Sequence, residues 1–391
     1  MVILDLLIVI LLVYTGLVTV YLFFFAVAGR LRSLPPVVSD HLIRRMAVLI
    51  PAYREDGVIL ESARQGLAQT YPAGAFDIVV IADSLQPGTV DALRSLPVHV
   101  VEVSFAQSTK AKALNVALQQ LPDHYDVGVV LDADNLMASD FLLQLNAAFA
   151  QGWSVVQGHR VAKNTNTSVA VLDAISEEIN NHIFRQGHRA VGLSAALIGS
   201  GMAFDYRLLK ELMPSVQAVG GFDKEIEMRL LSRGVRFGYL PDALVYDEKV
   251  QNEAVFERQR TRWIAAQFKY LKLNAGPGLK ALFAGNIDYA DKVFQTVLPP
   301  RILLLGTLAI GVLVSLLIGS QALLIGTVGQ LMLLLLTFYL SAPADLARKI
   351  GPAELLKLPL LFGRFIKSIY RMKTARNQFL HTPHGADPVS K

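Results

Sequence analysis

The chain has 391 residues, 53% of them apolar and 18% charged, with no cysteine and a mean hydropathy of +0.41. Soluble domains average about 45–50% apolar and about 25% charged. The composition therefore lies on the membrane side of globular and excludes a disordered chain, a collagen or a disulfide-stapled secreted scaffold. The formal charge of +5 gathers at one end, since residues 342–391 hold nine Lys/Arg against three Asp/Glu. A basic tail beside a hydrophobic block reads as attraction to an anionic membrane surface, and no nucleic-acid partner is expected.

Residues 2–28 contain one charge, Asp5, and exceed the ~20 residues that cross a ~30 Å hydrocarbon core. Ala26-Val27-Ala28 has the form of a signal-peptide cleavage site. No basic segment precedes the run, however, and it is longer than a ~7–15-residue signal core, so 1–29 is expected to be an uncleaved anchor. Arg30, Arg32, Arg44 and Arg45 follow it, which places the next domain in the cytoplasm by the positive-inside rule.

Over 44–272, short β-rich runs alternate with helical stretches. Ala47–Ile50, Asp77–Ala82, Val98–Val103 and Gly128–Leu131 read as strands, separated by helices at Leu60–Gln69, Thr89–Leu96 and Lys110–Gln120. This order predicts an α/β domain with a mostly parallel sheet covered by helices. Ligands of such sheets bind at the carboxyl ends of the strands. Residues 273–300 are expected to form an interfacial segment, broken by Pro299-Pro300.

The stretch Ile302–Ala344 has no charge in 43 positions. As helix it would be about 65 Å long, which is two crossings over 301–342 turned at Gly319-Ser320-Gln321. In the last segment, 343–391, Lys357, Arg364, Lys367 and Arg371 share one face of a helix over Ala353–Arg371, opposite Leu, Phe and Ile. That pattern predicts an amphipathic helix lying in the membrane interface, the alternative being a third C-terminal span kinked at Pro359. The whole reads as a multi-pass protein of the cell (inner) membrane.

The predicted strand ends carry the chemistry. They hold Tyr53 and Glu55 after the first, Asp83 after the second, and Asp132-Ala133-Asp134 after the fourth, with Lys110 and Lys112 opening a helix. Carboxylates one residue apart can share a hard divalent cation that also binds phosphate oxygens, and lysines at a helix start add charge that pairs a diphosphate. Each motif alone is more often a solvated turn or helix face; their gathering at one sheet edge is what gives them weight. Later, Gly220-Gly221-Phe222-Asp223-Lys224-Glu225-Ile226-Glu227 opens another helix, where a carboxylate either caps the dipole or serves as a general base. Gln259, Arg262 and Trp263 form a Q-x-x-R-W motif; the competing reading is a basic helix anchored at the membrane by Trp263.

In this order and spacing, P-A-Y-x-E, the Asp83 turn, K-A-x-A-L-N at 110–115, D-A-D, G-S-G-M at 199–202, the Glu225 region, Q-x-x-R-W and the ending Phe379–His384 resemble the membrane-bound, processive family-2 glycosyltransferases. That group comprises the cellulose, hyaluronan and chitin synthases. The resemblance implies a GT-A fold, a UDP-sugar donor and Mg²⁺ or Mn²⁺. It implies that Tyr53, Glu55 and Asp83 bind the uridine, that Lys110 lies near the nucleotide, and that Asp132 and Asp134 handle diphosphate and metal. Gly199, Ser200 and Gly201 would line the acceptor end, and Gln259, Arg262 and Trp263 would hold diphosphate and acceptor sugar. The family's acidic pair stands here as Lys224-Glu225, so the implied base is Glu225, with Glu227 its nearest competitor; Arg54 replaces the usual Asn.

The expected activity is inverting transfer from a UDP-sugar to a growing β-linked polysaccharide at the cytoplasmic face. The alternatives are single-sugar transfer to a lipid-linked acceptor and an inactive membrane scaffold. Expected partners are UDP-sugar, a glycan or lipid-linked acceptor and membrane lipids. A homo-oligomer or export partner is added for any secreted polymer, because three spans provide little protein to line a polar path.

Overall fold

The computed structural model describes residues 2–32, 34, 42–251 and 253–371; the Phe379–His384 ending lies outside the described residues. Eight strands form one sheet: β1 (Met46–Tyr53), β2 (Phe76–Asp83), β3 (His99–Val103), β4 (Val127–Val130), β5 (Leu136–Met137), β6 (Val155–Ala162), β7 (Met202–Asp205) and β8 (Gly238–Asp247). Their order is β3-β2-β1-β4-β7-β6-β8-β5. The β1–β2, β1–β4, β2–β3 and β6–β8 pairs are parallel, while β7 runs antiparallel between β4 and β6. The four strands expected from the apolar runs are all present. The predicted helix at Lys110–Gln120 forms over those residues, capped by Thr109, whose side chain accepts from Lys112 N.

Successive residues of a strand face opposite sides, and β1 shows it. Leu49 packs with Leu114, Leu118, Leu209 and Ile226, whereas Val48 and Ile50 pack with Ile59, Leu93, Phe141 and Leu145. Helices therefore cover both sheet faces, and the strand ends along one edge are left for a site.

Among the described residues three helices are long and apolar enough to cross a membrane: Leu6–Leu31, Arg301–Ile318 and Gln321–Ser341. The last two are joined where the turn was expected. Gly319 adopts φ 74°, a conformation costly for other residues, and Ser320 caps the next helix by accepting from Leu323 N. Beneath them lies the helix Ser168–Asn180. Its Val171, Ala174, Ile175 and Ile179 pack on Val18, Leu22, Leu304 and Leu334 of the three apolar helices.

Two segments differ from expectation. The 272 boundary falls inside a continuous helix, Glu253–Phe283, and the segment after it forms Ile287–Gln295, packed on the α/β domain through Tyr289 and Val293. The helix Pro352–Arg371 also forms, but its basic face is engaged. Arg364 and Lys367 pair with Glu257 at 2.8 and 3.3 Å, and Leu361 and Phe365 are buried, which leaves Leu356 and Tyr370 outward.

Candidate active site

The strand register sets the site. Tyr53 pairs with Asp83 across β1 and β2, and Leu49 pairs with Val130, so Asp132 emerges at the same edge. Antiparallel β7 begins at Met202 opposite Val130, which brings Gly199, Ser200 and Gly201 to that edge as well. Two non-glycine residues here have left-handed backbone, Arg54 at φ 56° and Ser84 at φ 59°, each just past a strand end. Such conformations cost of order 1–3 kcal/mol and concentrate at functional sites. Asp83 is buried and accepts from Ser84 Oγ at 3.1 Å, and Arg54 N donates to Asp83 O.

Lys110 sits at the centre. Its Nζ donates to the Asp132 carboxylate and, at 2.6 Å, to Gly199 O. Asp132 N donates to Ser200 Oγ at 2.9 Å, Ser200 Oγ donates to Asn135 Oδ1, and Asn135 Nδ2 donates to Asp247 Oδ1 at 3.0 Å. Gln157 holds the same loop from below. Its Nε2 donates to Ser200 O at 2.9 Å, and its Oε1 accepts from Ile198 N at 3.1 Å. Asn135, the residue after the paired carboxylates, is buried between β4 and β5. Buried Gln157 on β6 is a site residue that the sequence did not single out, because a buried amide on a strand leaves no motif. Asp134 is buried. Among the described residues no group of three or more His, Cys, Asp or Glu side chains forms a metal cage, but the paired carboxylates are oxygen donors of the kind hard divalent cations take. A cation there would complete its shell with phosphate oxygens and water, so the donor set fits a metal carried in with a diphosphate.

The Q-x-x-R-W residues lie on the helix Glu253–Phe283. Arg262 is half-buried; burial lowers its pKa from the usual arginine range, and the Asp132 charge opposes that shift. Trp263 is 44% exposed, and its ring stacks 4.0 Å from the Arg260 guanidinium. Gln259 Oε1 is buried without a partner.

The carboxylates at 223, 225 and 227 separate by helical phase. Glu225 is closed off: its Oε1 accepts from Arg229 at 2.7 and 3.0 Å and from Gln217 N at 3.1 Å, and its Oε2 accepts from Tyr270 at 3.1 Å. Glu227 is also buried, accepting from Leu197 N at 2.7 Å and pairing with Lys224 at 2.7 Å. Asp223 is the half-buried one. Burial raises its pKa, with Glu227 adding to the rise and the Lys224 and Lys110 charges opposing it. Lys110 Nζ lies 5.7 Å from the ring of Phe222, the preceding residue. Gly221 starts this helix at φ 70°, and a Cβ there would stand 2.8 Å from Ala266 Cβ. The close approach it permits is thus to the helix Glu253–Phe283.

A mostly parallel sheet with paired carboxylates, lysine and arginine at its carboxyl edge defines a GT-A-like α/β fold. The chain belongs to glycosyltransferase family 2: residues 44–266 match the family described as Glycosyltransferase like family 2. It is therefore a glycosyltransferase. It is 26% identical over 243 residues to the probable glycosyltransferase YdaM of Bacillus subtilis (strain 168), covering 59% of this chain and 57% of that one. It is 31% identical over 129 residues to the glucans biosynthesis glucosyltransferase H of Rhodopseudomonas palustris (strain ATCC BAA-98 / CGA009), covering 30% of this chain and 17% of that one. The chain thus spans little more than half of the first of these relatives and less of the second. In fold it is similar to the mannosyltransferase PcManGT from Pyrobaculum calidifontis, solved in complex with GDP-Man and Mn²⁺, at TM-score 0.59 and 18% identity over 94% of this chain and 98% of that one.

Proposed function

We propose that the protein is an inverting glycosyltransferase that moves a sugar from a UDP-sugar to a glycan acceptor held at the membrane surface, the α/β domain facing the cytoplasm. The observation that carries the reading is the Lys110 ammonium bridging the Asp132 carboxylate and Gly199 O, with the Arg262 and Asp223 charges around it. Two cations beside a carboxylate pair suit a diphosphate leaving group. Tyr53, Glu55 and Asp83 stand where the strand ends would take the uridine.

A divalent cation held by Asp132 and Asp134 would supply charge neutralisation at the departing diphosphate; the Mn²⁺ of the Pyrobaculum enzyme is consistent with that. Lys110 and Arg262 add fixed positive charge at the same place. Asp223 takes the proton of the acceptor hydroxyl as that oxygen forms its bond to the anomeric carbon. The bond to the diphosphate breaks on the opposite face, and the configuration inverts. Burial raises the Asp223 pKa, which brings a carboxylate nearer the pH at which it works as a base. Glu225, the base implied by resemblance, is held by three neighbours away from this role and positions the helix instead.

Q-x-x-R-W supports a β-linked polysaccharide as acceptor and product. A lipid-linked acceptor is the second reading, favoured by the candidate spans, whose surfaces are largely exposed rather than packed around a passage. The test is UDP and GDP release from membranes containing the full chain, offered a panel of UDP- and GDP-sugars, followed by partition of the labelled product. Polymer precipitates, lipid-linked sugar enters the organic phase, and release only from GDP-sugars would refute the UDP assignment.

A further inference from the structure

Between the site and the apolar helices lies a buried seam of charged groups along one side of the helix Ser168–Asn180. Asp173, Ser176, Glu177 and Asn180 are spaced to share a helical face. Asp173 pairs with Arg260. Glu177 takes a bidentate bond from Arg160 at 3.0 and 2.9 Å and another from Lys249 at 2.8 Å, and Lys249 also reaches Asp247 at 2.7 Å. Glu178 turns away to His159, 3.0 Å distant. Every one of these carboxylates is taken.

Two guanidinium groups hydrogen-bond to neutral oxygens, with the Glu177 charge near both. Arg301, the first residue of the second apolar helix, donates to Asn180 Oδ1 at 2.5 Å, Ser176 O at 2.7 Å and Ser176 Oγ at 3.1 Å. Arg185, buried in the continuation of the same helix, donates to Ala196 O at 3.0 Å and Asn181 Oδ1 at 2.6 Å. A third, Arg260, is 7% exposed, and its Nε has no partner. Asp173 and Asn180 are about 10 Å apart along the helix, so their partners Arg260 and Arg301 lie within two turns of each other. Within the seam five cations (Arg160, Arg185, Lys249, Arg260, Arg301) face four carboxylates (Asp173, Glu177, Glu178, Asp247). Buried charge is paired or it is expensive. A surplus of one matches the single negative charge of a phosphodiester, the form a lipid phosphate takes when it carries a sugar.

We infer that Arg301, Arg260 and Arg185 form a binding site for a lipid phosphate, and that this phosphate is the anchor of the acceptor. The inference rests on the glycosyltransferase reading above and narrows its acceptor to a glycan or sugar carried on a lipid phosphate. Arg301 heads an apolar helix, so a phosphate held there leaves its hydrocarbon chain alongside that helix in the bilayer. The seam continues through Lys249, Asp247 and Asn135 to Ser200 and Asp132, which puts the acceptor's sugar end toward the donor. The phosphate is bound and unchanged; only the acceptor hydroxyl reacts.

The test uses the purified full chain in nanodiscs of neutral lipid, with farnesyl phosphate, farnesol and dihexanoyl phosphatidylglycerol as probes. Binding is read by Trp263 fluorescence in a Trp153→Phe background. Farnesyl phosphate is expected to bind and farnesol to bind at least tenfold more weakly. Arg301→Gln should weaken farnesyl phosphate about 10- to 100-fold, the loss typical of a charged hydrogen-bonding partner, with UDP affinity unchanged as proof of fold. Arg301→Lys should recover part of the loss. Equal binding of farnesol and farnesyl phosphate, or no effect of Arg301→Gln, overturns the site. Phosphatidylglycerol binding as tightly as farnesyl phosphate assigns the site to bilayer lipid and overturns the acceptor role. Because the readout is binding, it fails separately from the glycosyltransferase reading, which fails if no nucleotide-sugar is turned over.

Discussion

Replacing Asp223 by Asn tests which carboxylate is the base. Removing a positioned general base costs ~10²–10⁴ in rate, or about 3–5 kcal/mol of transition-state stabilisation. On the proposed reading the uridine and diphosphate contacts come from other strand ends, so donor affinity should hold while turnover collapses. Glu225→Gln is the control. It removes the charge facing Arg229, whose side chain is 39% exposed against 9% for Glu225. Solvent screening keeps that loss to about 1 kcal/mol, and the Tyr270 bond survives the isosteric change. A modest drop in unfolding temperature with turnover within about tenfold of the parent is therefore expected. UDP release from membranes at saturating donor, paired with UDP binding by equilibrium dialysis, reads both variants. If Glu225→Gln abolishes turnover with UDP binding intact while Asp223→Asn stays active, the geometric argument is refuted and the base returns to Glu225.

Three further outcomes are expected. The acid limb of kcat/KM should lie above the ~3.9 of a free aspartate, because burial raises the Asp223 pKa; a limb at or below that value counts against Asp223 as base. By linkage, the same raised pKa works against folding at neutral pH, a cost that fades as pH falls through the folded-state value. Gly221→Ala should destabilise by about 1 kcal/mol or more from its positive φ alone, and the 2.8 Å approach to Ala266 Cβ should push the helix Phe222–Ser232 off its neighbour. Calorimetry and turnover should fall together, and an unchanged unfolding temperature would contradict this packing. A reporter fused at Ser320 should lie on the opposite side of the membrane from one inserted in the exposed turn at Gly74; a shared side would remove the paired-span topology.

The apolar runs of β1 to β4 were legible because each ends in a turn or a polar residue, and the Gly319-Ser320-Gln321 turn marked the limit between two apolar helices. The later strands were not. β7 has only four residues, and β6 carries Gln157, His159 and Arg160, polar groups that read against a strand until their partners are in place. The base was ambiguous for a related reason. Asp223, Glu225 and Glu227 differ only in helical phase, which is fixed by the left-handed Gly221 and by Arg229 and Tyr270, and no spacing rule places Tyr270 against position 225. The seam was invisible because its charges come from β6, two helices, the end of β8 and the start of an apolar helix.

The segments that read as membrane attachments form part of the site's foundation. Tyr21 of the first apolar helix donates to Asp291 at 2.8 Å, and Phe25 stacks on buried His188 at 3.7 Å with the rings 9° from parallel. From the helix Ile287–Gln295, Asp288 accepts from Ser194 N at 2.7 Å, and buried Lys292 lies 3.7 Å from Glu227. Glu227 in turn accepts from Leu197 N, two residues before the Gly199 carbonyl that receives Lys110. A shift of the first apolar helix therefore reaches Lys110 through packed, hydrogen-bonded groups. Buried polar networks of this kind tolerate little partial loss. The position of the first apolar helix and the geometry around Lys110 are for that reason set together, which suits the proposed reading in which the acceptor is held at the membrane.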